Sequence, residues 1–278
     1  MGTRARLHRE HIVGADATRW VAVTHGIYGS GGNWRSIARN VVERRPDWGA
    51  ILVDLRGHGR SEDGAPPHDL AACAADLAGA ISDEAAAGRR VEAVCGHSFG
   101  GKVMLAVRAA WPAAAPPLSQ TWVLDSTPSA RPDALRDPDN TVIQVLDLLA
   151  SLPKTWARRA DFVRAVSGTA DGSVLANWLA MSLQPDGDQL RLRLDVDVMR
   201  ALLTDYFTRD LWSAVEDLAL PGEVRMVVAG KSTTVAPADR ARAAAAPRTT
   251  VDVIDAGHWL HLEAPAAVVD LIATGLAR

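Results

Sequence analysis

Six short runs rich in Val, Ile and Leu punctuate this chain: "RWVAVTHG" (19–26), "GAILVDLRG" (49–57), "RVEAVCGH" (90–97), "TWVLDS" (121–126), "EVRMVVAG" (223–230) and "TVDVIDAG" (250–257). Each is bounded by turn residues and apolar on both faces at its centre. That pattern suits parallel strands buried on both sides of a sheet. Ala-rich stretches with helical character lie between them, for example 69–87, 102–110 and 264–276. Alternating strand and helix predicts an α/β fold with right-handed crossovers. A chain of 278 residues, 48% of them hydrophobic, can bury one large core of this kind.

The alternation fails once. Between 127 and 217 helical patterns dominate, as in "NTVIQVLDLLASLP" and "VDVMRALLTDYF", and no run reads as a strand. The expectation is a helical cap inserted into one domain, with 1–126 and 218–278 forming the core. Pro128, Pro132 and Pro138 mark its entry and Pro221 follows its exit.

The most specific motif is "VEAVCGHSFGG", in which Gly96-His97-Ser98-Phe99-Gly100 forms G-x-S-x-G between a strand and a helical stretch. A turn this tight leaves room only for small neighbours, which Gly96, Gly100 and Gly101 supply. It would expose Ser98 at the C-terminal edge of the sheet, above a helix N-terminus whose free N–H groups favour an oxyanion.

Three further motifs accompany it: "HGIYGSGGNW" (25–34), "DLRGHGRS" (54–61) and "AGHWLH" (256–261). With "GHSFGGK" (96–102), their order and spacing resemble α/β-hydrolase-fold serine hydrolases. The similarity is greatest to small bacterial esterases and their mitochondrial relatives, and only the inserted segment lies outside it. The resemblance implies a mostly parallel sheet flanked by helices, Ser98 as nucleophile and His258 as base. It also implies an oxyanion hole from the backbone N–H groups of Ile27 and Phe99, with Tyr28 an alternative to Ile27. His261, three residues beyond His258, is the rival base. His25, His58 and His97 read as braces of tight turns.

The acid is less direct. Most relatives carry it in the loop that here reads "GKSTTVAP", where Ser232 stands in its place. Some small esterases of the resembled group instead place it after the preceding strand, the sixth in the family's count. There this chain offers Asp125, with Asp255 and Asp239 as competitors. In a serine–histidine–acid set the carboxylate fixes the imidazole tautomer.

These residues together predict a carboxylic-ester hydrolase for short or medium acyl chains, working through an acyl-enzyme. Tyr28, Trp178 and Phe207 are the candidate pocket residues. Thioesterase, C–C bond hydrolase, cofactor-free haloperoxidase and a non-catalytic binding protein are the alternatives. A haloalkane dehalogenase or epoxide hydrolase would need Asp at position 98. No metal-ligand spacing or nucleotide loop is present, so no cofactor and no metal are expected. A net charge of −3 gives no reason to expect a nucleic-acid partner. No apolar run is long enough to span a bilayer, and "MGTRARLHRE" lacks the apolar stretch of a secretory signal. With only two cysteines, the chain reads as cytoplasmic with a small-molecule ester substrate and an open oligomeric state.

Overall fold

The computed structural model describes residues 4–113, 115–167 and 172–277; the first three residues of the N-terminal segment lie outside it. The strands are β1 (Arg9–Ile12), β2 (Arg19–Thr24), β3 (Trp48–Val53), β4 (Val91–His97), β5 (Gln120–Leu124), β6 (Thr155–Trp156), β7 (Leu183–Asp186), β8 (Gln189–Leu192), β9 (Glu223–Ala229) and β10 (Thr249–Ile254). Seven of them form one sheet in the order β1-β3-β2-β4-β5-β9-β10. β1 pairs antiparallel with β3, and every other pairing in the sheet is parallel. The C-terminal ends of β2, β3, β4, β5, β9 and β10 therefore share one edge. Helices cover both faces: α1 (Arg35–Arg44), α2 (Leu70–Ala86), α3 (Phe99–Ala109), α9 (Pro237–Ala245), α10 (Leu260–Glu263) and α11 (Pro265–Gly275).

Alternation along the strands sorts the core. Val21, Val23, Ala50, Leu52, Ala93, Cys95, Trp122 and Leu124 point to the face covered by α1 and α11. Trp20, Ala22, Ile51, Val53, Val91 and Val94 point to the face covered by α2 and α3. Trp122 is fully buried, and the Arg225 guanidinium carbon lies 4.7 Å from its ring centroid. Truncating so large a buried side chain usually costs about 3–5 kcal/mol.

Between β5 and β9 lie α4 (Thr141–Ser151), α5 (Arg159–Ser167), α6 (Gly172–Leu179), α7 (Val196–Thr208) and α8 (Ser213–Glu216). The sequence predicts helices alone for this segment, and the structure adds strands to them. β6, β8 and β7 form a small antiparallel sheet of their own. Asp186 pairs with Gln189, leaving Gly187-Asp188 as a two-residue loop, and Gly187 has φ 61. A glycine at the first loop position fits a type II′ hairpin turn. The strands are two to four residues long and lie at the surface, so they carry no apolar run to read.

Lys102, at the end of the "GHSFGGK" motif, is 1% exposed. Its ammonium donates to the Ser129 carbonyl at 2.9 Å and the Tyr206 carbonyl at 2.8 Å. It thus joins α3 to both ends of the inserted segment. Burial first, with repulsion from Arg131 second, pushes its pKa down to about 8. Among the described residues no helix is long and apolar enough to cross a membrane.

Candidate active site

Ser98 sits between β4 and α3 with φ 53 and ψ −119. A non-glycine residue held there stores about 1–3 kcal/mol of strain, which the surrounding structure must over-determine. It does so by close packing. A Cβ on Gly96 would overlap the Gly100 carbonyl, and one on Gly100 would lie 2.5 Å from the His25 carbonyl oxygen. The Ser98 N–H also donates to the Leu124 carbonyl at 2.9 Å, tying the turn to the end of β5.

Parallel pairing brings the other two groups to the same edge. Asp125 directly follows β5, has φ 42 and is fully buried. Its N–H donates to the Val227 carbonyl at 2.7 Å, and its Oδ1 accepts the Ala229 N–H at 3.1 Å. His258 lies in the loop after β10. His97 Nε2–H donates to the His258 carbonyl at 2.8 Å, and the Gly257 N–H donates to Glu263 at 2.7 Å, so the loop is held on both sides.

The side chains form one relay. Ser98 Oγ donates to His258 Nε2 at 3.0 Å, and His258 Nδ1–H donates to Asp125 Oδ2 at 2.7 Å. The buried carboxylate accepts only, so it selects the tautomer that leaves Nε2 free to take the serine proton. Thr234 Oγ1, 3.2 Å from Nδ1, is a second acceptor. Ser232 makes no hydrogen bond to the histidine among the described residues; its hydroxyl donates to the Thr234 hydroxyl at 3.0 Å and accepts the Thr234 N–H at 3.1 Å. In the loop that usually carries the acid, the hydroxyl that reaches the imidazole belongs to Thr234, which sequence reasoning passed over for Ser232.

The competing residues lie elsewhere. Asp255 is exposed and pairs with Lys231 at 3.1 Å, while Asp239 accepts from the Thr127 and Ser129 hydroxyls. His261 is 6% exposed and stacks on Trp34 with centroids 4.8 Å apart; among the described residues neither of its ring nitrogens has a hydrogen-bond partner.

Ile27 and Phe99 flank the serine. No hydrogen bond among the described residues takes up the Ile27 N–H, and Phe99 is the first residue of α3, where an N–H has no intrahelical acceptor. The Tyr28 N–H donates to His58 Nε2 at 3.1 Å, which removes it as the alternative donor. His58 Nδ1–H in turn donates to the Arg56 carbonyl at 2.8 Å, and His25 Nε2 accepts the Leu55 N–H at 3.1 Å. Burial pushes the His58 pKa down to about 3 and that of His25 to about 4, so both remain neutral acceptors behind the loop.

Two hollows meet at Ser98 and His258. One, of about 220 Å³, is mostly apolar, with Val142, Val145, Leu175, Trp178 and Trp259 in its wall. The other, of about 450 Å³, contains Phe99, Arg131, Asn140, Thr234 and Phe207. Trp178 therefore belongs to the first and Phe207 to the second. Tyr28 lines the first, and its hydroxyl donates to the Val142 carbonyl at 2.9 Å, across to α4. Among the described residues no group of three or more His, Cys, Asp or Glu is placed to hold a metal ion.

A family model described as the alpha/beta hydrolase family matches residues 21–271. Over 276 residues the chain is 25% identical to the sn-1-specific diacylglycerol lipase ABHD11 of Mus musculus, covering 96% of this chain and 84% of that protein. A marine microorganism esterase of known structure superposes with a TM-score of 0.82 at 22% identity, covering 98% of this chain and 99% of that one. A thioesterase domain from the curacin biosynthetic pathway superposes with a TM-score of 0.67 at 18% identity, covering 96% of this chain and 94% of that one.

Proposed function

Because the chain belongs to the α/β-hydrolase family, we propose that it hydrolyses carboxylic esters of short or medium acyl chains through an acyl-enzyme on Ser98. The observation that carries this reading is the unbroken relay from Ser98 Oγ through His258 to Asp125, at 3.0 and 2.7 Å. The curated relative is named as a lipase and the two superposed structures as an esterase and a thioesterase, all acyl transfers to water.

In this mechanism His258 Nε2 takes the Ser98 proton as Oγ attacks the ester carbonyl. The Ile27 and Phe99 N–H groups receive the charge that develops on the carbonyl oxygen; each such donor is typically worth roughly 2.7–4 kcal/mol. The imidazolium, held by Asp125, then gives its proton to the departing alcohol. Water enters, His258 takes one of its protons as its oxygen attacks the acyl carbonyl, and the imidazolium then returns that proton to Ser98 Oγ as the C–Oγ bond breaks and the acid leaves. The inserted segment acts as the cap: Val142 and Val145 of α4 and Leu175 and Trp178 of α6 roof the apolar hollow that takes one arm of the ester.

The test is a panel of 4-nitrophenyl esters with a fluorophosphonate serine probe. Wild type should turn over the esters and take up one probe per chain. Ser98→Ala should lose labelling and reduce turnover by several orders of magnitude, with its unfolding midpoint retained. Turnover in Ser98→Ala near that of wild type would end the serine mechanism.

A further inference from the structure

The larger hollow at Ser98 carries a charge, that of Arg131, with which no carboxylate among the described residues forms an ion pair. Arg131 enters it from the loop after β5, half-buried. Among the described residues no carboxylate lies within ion-pair distance of its guanidinium. The group is nevertheless held in place. The Arg131 N–H donates to the Phe207 carbonyl at 2.6 Å, and the guanidinium carbon lies 5.8 Å from the Phe207 ring centroid.

The other charges of this hollow do not cancel it. Lys231 is paired with Asp255 outside. Asp137 and Asp139 stand exposed on the rim, where Asp137 Oδ1 accepts the Asp139 N–H at 2.9 Å. Asp125, deeper in, is taken up by His258 and the Ala229 N–H. Lys102, below, adds positive charge and points its ammonium at two carbonyls. A partly desolvated guanidinium without a counter-ion favours an anion brought to it, and its planar fork matches the two oxygens of a carboxylate or phosphate.

We infer that the substrate is an ester with two unlike arms, one apolar and one carrying an oxyanion, carboxylate or phosphate, bound by Arg131. This deepens the ester-hydrolase reading and rests on it. The apolar arm occupies the hollow beneath Val145, Leu175 and Trp178. Arg131 determines specificity by holding the charged arm, and takes no part in bond making.

The experiment compares matched substrates: 4-acetoxybenzoate with its methyl ester, mono-4-nitrophenyl glutarate with its methyl ester, and 4-acetoxyphenyl phosphate with 4-acetoxyanisole. In each pair the readout is the ratio of kcat/KM, charged over neutral. A ratio for wild type above its neutral baseline in at least one pair is expected, and the pair that shows it identifies the oxyanion and the arm that bears it. Arg131→Gln should lower that ratio by roughly 10- to 100-fold, the usual effect of losing a hydrogen bond to a charged group. Arg131→Lys should restore part of it. Because the ratio is internal to each variant, general loss of activity does not imitate the effect.

Turnover of the neutral esters with no discrimination in any pair, or a ratio unchanged in Arg131→Gln, overturns the inference and leaves the hydrolase reading intact. Absence of turnover on every ester overturns the hydrolase reading. The Arg131 site is then judged by calorimetry with free glutarate and phenyl phosphate. Binding that Arg131→Gln weakens by about tenfold or more supports it, and no binding, or binding that the substitution leaves unchanged, overturns it.

Discussion

Asp125 divides its two oxygens between backbone and imidazole, and that division decides what a conservative substitution does. Oδ1 accepts the Ala229 N–H, so an asparagine at 125 would keep its carbonyl there and turn its amide NH2 toward His258 Nδ1. The imidazole would then carry its proton on Nε2, facing Ser98, and could not accept. Asp125→Asn should therefore retain the fold and reduce turnover about 10⁴-fold, measured on a 4-nitrophenyl ester. Thr234→Val, which removes the second acceptor at 3.2 Å together with the acceptor of the Ser232 hydroxyl, should lose less than about tenfold, because a neutral hydroxyl stabilises the imidazolium far less than a carboxylate. Comparable losses in the two variants would mean that the hydroxyl, not the carboxylate, orients the base. The strand–turn–helix around Ser98 is local, and residue spacing alone carries it. The meeting of Asp125 with His258 spans 133 positions; it was legible only because parallel strands end on one edge and relatives of similar motif place an acid there. The contacts of Thr234, Arg131 and the Tyr28 N–H depend on loop conformations that no periodicity encodes.

Trp178 stands on α6 and meets Trp259, the neighbour of His258, edge to face with centroids 4.8 Å apart. This contact joins the inserted segment to the histidine loop and closes one wall of the apolar hollow. Trp178→Ala should alter the ratio of kcat/KM for octanoyl over acetyl esters by about 10- to 200-fold, the range for a side-chain step in an apolar pocket. Phe207→Ala should leave that ratio within a few-fold of wild type, since Phe207 faces the other hollow beneath Arg131. A uniform loss on all chain lengths in Trp178→Ala would show that the tryptophan only holds the segment together. The central strands were legible because burial on both faces makes each an apolar run. The hairpin of β7 and β8 was not, because its burial pattern holds only half-buried and exposed positions. Its turn cue, Asp186-Gly187, is flanked by alternation on one side only, in the four residues "QLRL" of β8, too short a run to stand out among helical patterns. β1 was missed for a related reason: at the sheet edge "REHI" has no fully buried position.

At the scale of the whole molecule, four histidines are built into the interior as neutral groups. Burial pushes the His25 pKa down to about 4, that of His58 to about 3, that of His261 to about 4, and that of His97 well below its ordinary value. In the unfolded chain each would titrate near about 6.5. Between those values the unfolded state binds protons that the folded state refuses, so stability falls as pH falls from about 6.5 toward about 4. Each histidine contributes on the order of 1 kcal/mol per pH unit in that window, which lies mostly above the carboxylate range. Against a total stability of about 5–15 kcal/mol, a loss of that kind shared by several histidines should lower the resistance to urea steeply as pH falls below about 6.5. The check is the urea midpoint from pH 7.5 to 4.5, converted to protons taken up on unfolding. His261→Phe supplies the control. The ring stacked on Trp34 is kept, and since neither imidazole nitrogen has a partner among the described residues, no hydrogen bond to them is lost. That variant should be at least as stable as wild type at pH 7.5 and should take up about one proton fewer on unfolding near pH 5. Stability that is level from pH 7 to 5 in wild type, or a proton uptake that His261→Phe does not change, would mean that these imidazoles gain their protons within the folded state.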